Sequence, residues 1–224
     1  MLKVLFFIQG ESNMIEKIAY NLEINDEEPN INLAIELCNT KDIEGIKEIV
    51  DGLKNNKEQI ANDCIKVLYE IAERNPELVA DYVLDFIQLL KSRNNRLVWG
   101  GMTAISRITF LKHREVFENI DTVIKAYENG SVITRDNSIS VFAELAKLDK
   151  KYEKIMFEKI IKHLETCRPK EVGQHTERAF ICVNEENSKE FIDVLAKRRE
   201  YLTDAQKKRV DKIIKKIENG EFSN

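Results

Sequence analysis

Two histidines and two cysteines in the last third of the chain have the side-chain types of a metal site. His163 and Cys167 are four residues apart on a predicted helix, and His175 and Cys182 follow them. Imidazole nitrogens and thiolate sulfurs are the donors that zinc prefers. The spacing of these residues matches no zinc-ligand pattern, however, and Cys182 falls in an apolar helical register. The sequence therefore predicts no metal and no other cofactor.

No other group of residues predicts an enzyme. A cysteine–histidine nucleophile needs a base and an orienting group within reach, and nothing in the sequence brings such groups together. Gly100 and Gly101 lie inside a helical pattern, which excludes a phosphate-binding loop. The four cysteines form neither a CxxC pair nor a disulfide framework. Free, reduced thiols and a cytoplasmic location are therefore expected.

A second group of polar residues surrounds the only tryptophan, Trp99. An indole beside arginines is the composition of a binding hot spot. The alternative interpretation is that Trp99 packs between neighbouring helices. The residues of this group avoid the apolar stripes of their helices, and we expect them to face a binding partner. The predicted partner-binding residues are Arg96, Trp99, Thr103, Arg107, Arg135, Asp136, His175 and Arg178.

The helices that carry these residues follow from an apolar pattern that returns every 37 residues. Four positions, spaced i, i+3, i+4 and i+7, mark one face of a helix each time. The four sets are Ile46, Ile49, Val50 and Leu53; Val83, Phe86, Ile87 and Leu90; Ile120, Val123, Ile124 and Tyr127; and Phe157, Ile160, Ile161 and Leu164. Self-similarity at a fixed period of this length predicts a helical repeat array.

A second apolar helix lies between successive sets and keeps the same register. Its stripe is Ile65, Leu68 and Ile71, then Met102, Ile105 and Ile108, then Ile139, Phe142 and Leu145. Each repeat therefore has an A helix and a B helix. The B helices carry Cys64, Gly101 and Ser138 at one common position, where small side chains would let the A and B helices approach closely. The fourth B helix is expected to be degraded, because Arg168 and Pro169 interrupt it.

This two-helix unit, with B helices such as the segment 131–139, resembles a HEAT repeat. The resemblance covers about residues 41–217. It implies an all-α fold, a right-handed α-solenoid of about five HEAT-like two-helix repeats. We expect a single domain over residues 1–224. Its parts would be an atypical N-terminal cap at 1–40 that includes an irregular helix pair at 14–39, regular repeats at 41–186, and a C-terminal cap at 187–224.

Composition agrees with a helix-rich protein. Charged residues make up 33% of the chain, with only 8 glycines and 3 prolines, which argues against an all-β or a disordered chain. The net charge of −4 gives no overall positive field for nucleic acid, and no apolar run predicts a membrane span. The apolar segment from Leu2 to Ile8 does not fit the repeat. It has three interpretations: a weak signal-like segment, a capping element, or residues ahead of a natural start at Met14.

The fold and the polar row predict a non-enzymatic scaffold or adaptor that holds a protein or peptide against the concave face of the B helices. The alternative is a nucleic-acid-binding protein related to the HEAT-like alkylpurine DNA glycosylases, whose groove uses aromatic residues and an acid. Trp99 would be one such aromatic, but Thr103 stands one turn later, where an acid is wanted. A bilin-lyase-like enzyme is a third interpretation, without specific residue support.

Overall fold

The computed structural model describes residues 13–222, so the expectations for Leu2 to Ile8 lie outside the described residues. Twelve α-helices and no strand occur in this part of the chain. The helices are α1 (Glu28–Thr40), α2 (Ile43–Gly52), α3 (Glu58–Arg74), α4 (Val83–Leu89), α5 (Asn95–Ile108), α6 (His113–Glu118), α7 (Ile120–Asn129), α8 (Val132–Leu148), α9 (Lys150–Thr166), α10 (Pro169–Ala179), α11 (Ser188–Arg199) and α12 (Asp204–Glu218). Between residues 13 and 222, no helix has both the length and the apolar character of a membrane span.

The helices form two compact units, divided between Asp85 and Phe86. In the first unit, α3 packs against α1 and α2. In the second unit, the B helices lie side by side, because α5 packs against α8, and α8 packs against α10. Helix α9 packs against α8 and α11, and α12 closes against α10 and α11. The organisation of residues 1–224 as one domain with two caps stays a prediction.

The residues of the apolar pattern form the core of each unit, as predicted. Ile46 and Ile49 of the first A helix have no exposed surface, and neither do Phe86 and Ile160 of later ones. The third A helix departs from this regularity, since it is divided into α6 and α7 at Asn119. The Asn119 side chain donates to the carbonyl of Glu115 over 2.9 Å, and the residues of its apolar set other than Val123 are only half-buried.

Small residues set how closely the A and B helices of one repeat approach each other. In the first unit, a Cβ added to Gly52 would lie 2.5 Å from Cys64 Sγ. In the second unit, a Cβ added to Gly101 would lie 3.2 Å from Leu89 Cβ. Carbon atoms in favourable contact are about 3.5–4.0 Å apart. One partner in each pair must therefore be small, which is the role predicted for the small residues of the B helices.

The prediction of a helix pair at residues 14–39 is wrong for the first of the two helices. Residues Met14–Lys17 form a short 3-10 helix, and turns follow up to residue 23. The reason lies in the backbone N–H groups, which donate to side chains of neighbouring helices instead of to a helical carbonyl. The N–H groups of Met14 and Ile15 donate to the Glu48 carboxylate at 3.0 and 3.1 Å, and Ala19 N–H donates to Asn30 Oδ1 at 2.9 Å.

The expected degradation of the fourth B helix is also wrong. Pro169 is the first residue of α10, where its missing N–H costs nothing and its fixed φ suits a helix. Glu171 accepts a hydrogen bond from the backbone N–H of Arg168 at 3.2 Å, which caps the same end. The residues that resemble an interruption are therefore the turn between α9 and a regular B helix.

Removal of a buried phenyl ring tests the predicted core. Phe86 has no exposed surface, so Phe86→Ala leaves a cavity and should lower the free energy of unfolding by about 3–5 kcal/mol. The same change at Phe110, which is 44% exposed, should cost less than about 1 kcal/mol. Urea denaturation followed by circular dichroism measures both values. Equal losses for the two variants would contradict the packing assigned to Phe86.

Candidate functional site

Polar side chains connect three neighbouring B helices along one surface of the second unit. Between α5 and α8, Asn137 Nδ2 donates to Thr103 Oγ1 over 2.9 Å. Between α8 and α10, Arg178 Nη1 donates to Ser140 Oγ over 2.6 Å. We call this surface the B-helix face; it comprises Arg96, Trp99, Thr103 and Arg107 of α5, Asp136, Ser140 and Glu144 of α8, and Gln174 and Arg178 of α10.

Trp99 lies half-buried on the α5 part of this face. The guanidinium carbon of Arg96 is 5.4 Å from the centroid of the indole, in cation–π geometry. The hydroxyl of Thr103 donates to the carbonyl of Trp99 over 2.8 Å. Because Arg96, Trp99, Thr103 and Arg107 are three or four residues apart, they share one side of α5. The indole therefore keeps an accessible part next to a cation.

The structure separates two predicted site residues from this face. Arg135 turns toward the end of α7, where its Nε and Nη2 donate to the carbonyls of Tyr127 and Glu128, each at 3.3 Å. His175 is only 1% exposed, so it offers no surface to a partner. Its Nε2 lies 2.8 Å from Oδ1 of Asp136, whose Oδ2 accepts from Gln174 Nε2 at 3.2 Å. Asp136 thus connects the B-helix face to a buried polar group.

That buried group consists of His163, Cys167 and His175, which we call the histidine cluster. One ligand-type atom of each residue, an imidazole nitrogen or the thiol sulfur, lies within 4.8 Å of the other two. His163 Nε2 and His175 Nδ1 are 2.7 Å apart. Cys182 is not part of the cluster; its thiol donates to the carbonyl of Ala179. The structure therefore brings together three of the four residues that the sequence offered as metal ligands.

A directed chain of hydrogen bonds runs through the cluster. The Tyr127 hydroxyl is 2.8 Å from His163 Nδ1, on the far side of the ring from His175. Since ionised Asp136 only accepts, His175 Nε2 carries its proton, and His175 Nδ1 accepts from His163 Nε2–H. His163 Nδ1 then accepts from the Tyr127 hydroxyl. This assignment of protons gives each ring nitrogen of the two histidines a hydrogen-bond partner.

The surroundings of the cluster favour uncharged side chains. Burial, and next to it the neighbouring His175, lower the pKa of His163 from 6.5 to about 4. Burial raises the pKa of the Cys167 thiol from 9.0 to about 11, although the nearby Arg198 opposes this shift. Burial also raises the pKa of Tyr127. At neutral pH the cluster therefore presents a neutral His163 and a protonated Cys167.

A cavity of about 610 Å³ opens beside the cluster. The end of α7 and the start of α8 form one wall, and the turn between α9 and α10 forms the other. The wall residues include Tyr127, Arg135, Cys167, Glu171 and both clustered histidines. Glu171 is engaged by Arg168, whose Nε donates to Glu171 Oε1 over 2.9 Å. The cavity therefore borders the cluster, and Cys167 is the most exposed of the three cluster residues in its wall.

The repeat register contains a pattern that could have located the cluster. Residues 52 and 64 form the close A–B contact of one repeat, and residues 89 and 101 form that of the next. The period of 37 residues carries these pairs to 126 and 138, and then to 163 and 175. In the fourth repeat, His163 and His175 therefore occupy the positions that Gly52 and Cys64, and Leu89 and Gly101, occupy in the first two repeats. Arg168 and Pro169 conceal this contact in the sequence, because they resemble an interruption of the fourth B helix.

Solved structures with the same fold are armadillo- and HEAT-type repeat proteins. A designed armadillo repeat protein in complex with the peptide (KR)4 matches with a TM-score of 0.64 and 14% identity, over 90% of this chain and 97% of that one. The karyopherin Kap121p bound to the SUMO protease Ulp1p matches with a TM-score of 0.64 and 13% identity, over 92% of this chain and 23% of that one. An engineered protein matches with a TM-score of 0.61 and 16% identity, over 94% of this chain and 98% of that one.

These likenesses confirm the predicted fold class. The chain has the all-α, solenoid fold of the armadillo and HEAT repeats. At identities of 13–16%, the likeness extends to the fold alone. A scan against protein-family models gave no match, and a search of curated proteins gave none.

The lowered pKa of His163 predicts how stability changes with pH. The unfolded state binds its proton near pH 6.5, whereas the folded state binds it only near pH 4. The contribution of neutral His163 to the free energy of unfolding is therefore fully present above pH 6.5. It is lost as the pH falls toward 4, by up to about 3 kcal/mol. Urea denaturation between pH 7 and pH 4, with a chelator present, measures the loss. In His163→Gln the decline should be shallower, and parallel profiles would contradict the assignment.

Proposed function

We propose that this chain is a non-enzymatic scaffold that binds a peptide or a protein segment along the B-helix face. The observation that carries this proposal is the arrangement of α5, α8 and α10. The three helices lie side by side and turn half-buried polar residues of both charges toward one surface, around a single tryptophan. An extended ligand that crosses these helices would meet one row of side chains after another.

The chemistry of the face favours a ligand of mixed charge. Arg96, Arg107 and Arg178 supply cations, and Asp136 and Glu144 supply carboxylates. Glu144 is half-buried, and this burial raises its pKa above the usual value. A cationic group of the ligand would stabilise the ionised form of this partly buried carboxylate. The arginines and the Trp99 ring suit an acidic or aromatic side chain of the ligand.

The fold supports the same proposal by analogy. One structural neighbour is a designed armadillo repeat protein in complex with the peptide (KR)4, and another is a karyopherin bound to a SUMO protease. Proteins with this fold thus hold peptides and proteins. The analogy concerns the kind of ligand and not its sequence.

The carboxylates of the B-helix face argue against the nucleic-acid alternative. Phosphate binding gains its free energy from lysine and arginine that replace counterions. On the B-helix face, Asp136 and Glu144 would stand beside the phosphates and repel them. The chain as a whole carries a net charge of −4. We therefore propose a protein or peptide partner alone.

Photo-crosslinking in the source cell tests whether this face meets a partner. A benzophenone amino acid at position 99 should give a covalent adduct with a defined protein, whose crosslinked peptide mass spectrometry then identifies. The same amino acid at position 201 is the matched control, because Tyr201 is 70% exposed but lies outside the face. Identical adducts from both positions would mean that the crosslinks are non-specific.

The crosslinked segment, made as a labelled peptide, allows the affinity to be measured. Trp99→Ala should weaken binding by about 30-fold or more, as for a hot-spot residue worth about 2 kcal/mol. Tyr201→Ala should leave the Kd unchanged. Since Trp99 is the only tryptophan, its fluorescence should also change when the peptide binds to the wild-type protein.

Three results would contradict the scaffold proposal. One is an unchanged Kd in Trp99→Ala when circular dichroism shows a folded variant. Another is tight, salt-sensitive binding of duplex DNA that this variant loses. The third is release of a modified base from DNA by the wild-type protein. Loss of helical content in Trp99→Ala would instead show that the indole belongs to the core.

A further inference from the structure

The histidine cluster has the donor atoms and the spacing of a three-ligand metal site. Its donors are two imidazole nitrogens and one thiol sulfur, from His163, His175 and Cys167, all within 4.8 Å of one another. We propose that these three residues bind a zinc-class divalent ion, whose fourth coordination position faces the cavity beside them. This site is separate from the peptide-binding role proposed for the B-helix face.

The choice of metal follows from the donor atoms. Calcium and magnesium require oxygen ligands, and the cluster supplies none. Thiolate and imidazole donors select zinc and, among the other first-row ions, cobalt and copper. Zinc sites with three protein ligands keep one position for water or a bound molecule. The proposed site belongs to this open type.

The two imidazole donors need only a small adjustment to accept zinc. Around a tetrahedral zinc, two imidazole nitrogens lie about 3.3 Å apart, given Zn–N distances of about 2.0–2.1 Å. His163 Nε2 and His175 Nδ1 are 2.7 Å apart. A widening of roughly 0.6 Å is within reach of small side-chain rotations. On metal binding, the proton on His163 Nε2 would move to Nδ1, which then donates to the Tyr127 oxygen, and the Cys167 thiol would release its proton to solvent.

Both imidazoles already have the outer partners that metal-binding histidines need. A ligating histidine usually directs its other ring nitrogen to a carboxylate, a carbonyl or another polar group, which fixes the orientation of the ring. His175 has Asp136 Oδ1 at 2.8 Å from Nε2. His163 has the Tyr127 hydroxyl at 2.8 Å from Nδ1. The two nitrogens that remain are the two that face each other.

The third ligand is positioned by its backbone. The N–H of Cys167 donates to the carbonyl of His163 over 2.8 Å and so ends α9. Arg198 of α11 donates to the carbonyl of Cys167 and, over 2.7 Å, to the carbonyl of Glu165. Pro169 then starts α10. The backbone of Cys167 is therefore held between the two helices that carry the histidines.

The register of the repeats gives an independent reason to assign a role to this pair. At the equivalent positions, the other repeats have Gly52 with Cys64, Leu89 with Gly101, and Ala126 with Ser138. Each of these pairs is small or apolar and serves close packing. Only the fourth repeat places two imidazoles at this contact, and only there does a thiol adjoin them. Packing alone does not require that substitution.

Cobalt titration tests the site directly. The untagged, full-length protein is freed of metal with a chelator and titrated with Co²⁺. One equivalent should produce the thiolate-to-cobalt charge-transfer band and the intense visible bands of a tetrahedral ion, and one equivalent of Zn²⁺ should abolish them. Absence of these bands in the wild-type protein would overturn the proposal and leave the cluster as a hydrogen-bonded chain.

Matched cysteine variants locate the ligand. Cys167→Ser should lose the charge-transfer band, whereas Cys38→Ser should keep it. Cys38 is a suitable control because it is also half-buried and free, and it lies in the first unit. Alkylation gives a second measurement: Zn²⁺ should slow the modification of Cys167 and leave that of Cys38 unchanged. A band that persists in folded Cys167→Ser would overturn the assignment of this ligand.

Asp136, the hydrogen-bond partner of His175, provides a test that leaves all three proposed metal ligands unchanged. Asp136→Asn keeps the shape of the side chain but removes the charge that orients His175, and should weaken Co²⁺ binding by roughly 10–100-fold. Glu144→Gln, two helical turns further along α8, should change the Co²⁺ affinity by less than about 2-fold. Equal affinity in wild type and Asp136→Asn would contradict the outer role assigned to the carboxylate.

Discussion

The close approach of the A and B helices within a repeat is the constraint on which the rest of the structure depends. The contact made by Gly52 with Cys64 is repeated by Leu89 with Gly101, and in each pair one residue must be small. Once that distance is fixed, the apolar stripes on either side of it can interlock and exclude water. Because the stability of a repeat protein is approximately the sum of the stabilities of its repeats and of the contacts between neighbouring repeats, the interval of 37 residues is a physical spacing as well as a sequence pattern.

The fourth repeat departs from this constraint and has a polar interior. His163 and His175 occupy the equivalent positions, neither is small, and their rings lie at a centroid distance of 4.7 Å. Two buried imidazoles are costly unless each nitrogen has a partner. Tyr127 and Asp136 supply those partners. Tyr127 occupies the position at which the other A helices have Leu53, Leu90 and Leu164. Tyr127 and the two histidines stand where the other repeats have apolar or small residues, and hydrogen bonds join all three into one group.

Much of the fold could be predicted from the sequence, because the apolar period alone determines which faces of the helices are buried. The helix pairs α2–α3, α4–α5 and α7–α8, together with α9, follow from it, whereas the regular start of α10 and the division between α6 and α7 do not. The segment from Met14 to residue 24 could not be predicted, since its backbone is bound by the side chains of Glu48, Asn30 and Asp63. Local sequence does not show which distant side chain will accept a hydrogen bond.

The candidate site was predictable only in part. Their spacing of three or four residues predicts that Arg96, Trp99, Thr103 and Arg107 share one side of α5, because helical spacing is a local property. It could not show that Arg135 turns back to the carbonyls at the end of α7, since a long side chain has several accessible rotamers. It also could not show that His175 is buried, because burial depends on what α9 and α12 place beside α10.

The two oxygens of Asp136 have one further consequence. Oδ2 holds Gln174 on the B-helix face, and Oδ1 holds His175 in the histidine cluster. A molecule on that face that draws the carboxylate away from His175 changes the free energy of the cluster. By thermodynamic linkage, whatever occupies the cluster must alter the affinity of the face by the same factor. If both regions bind the ligands proposed for them, this one carboxylate would make them reciprocal effectors of each other.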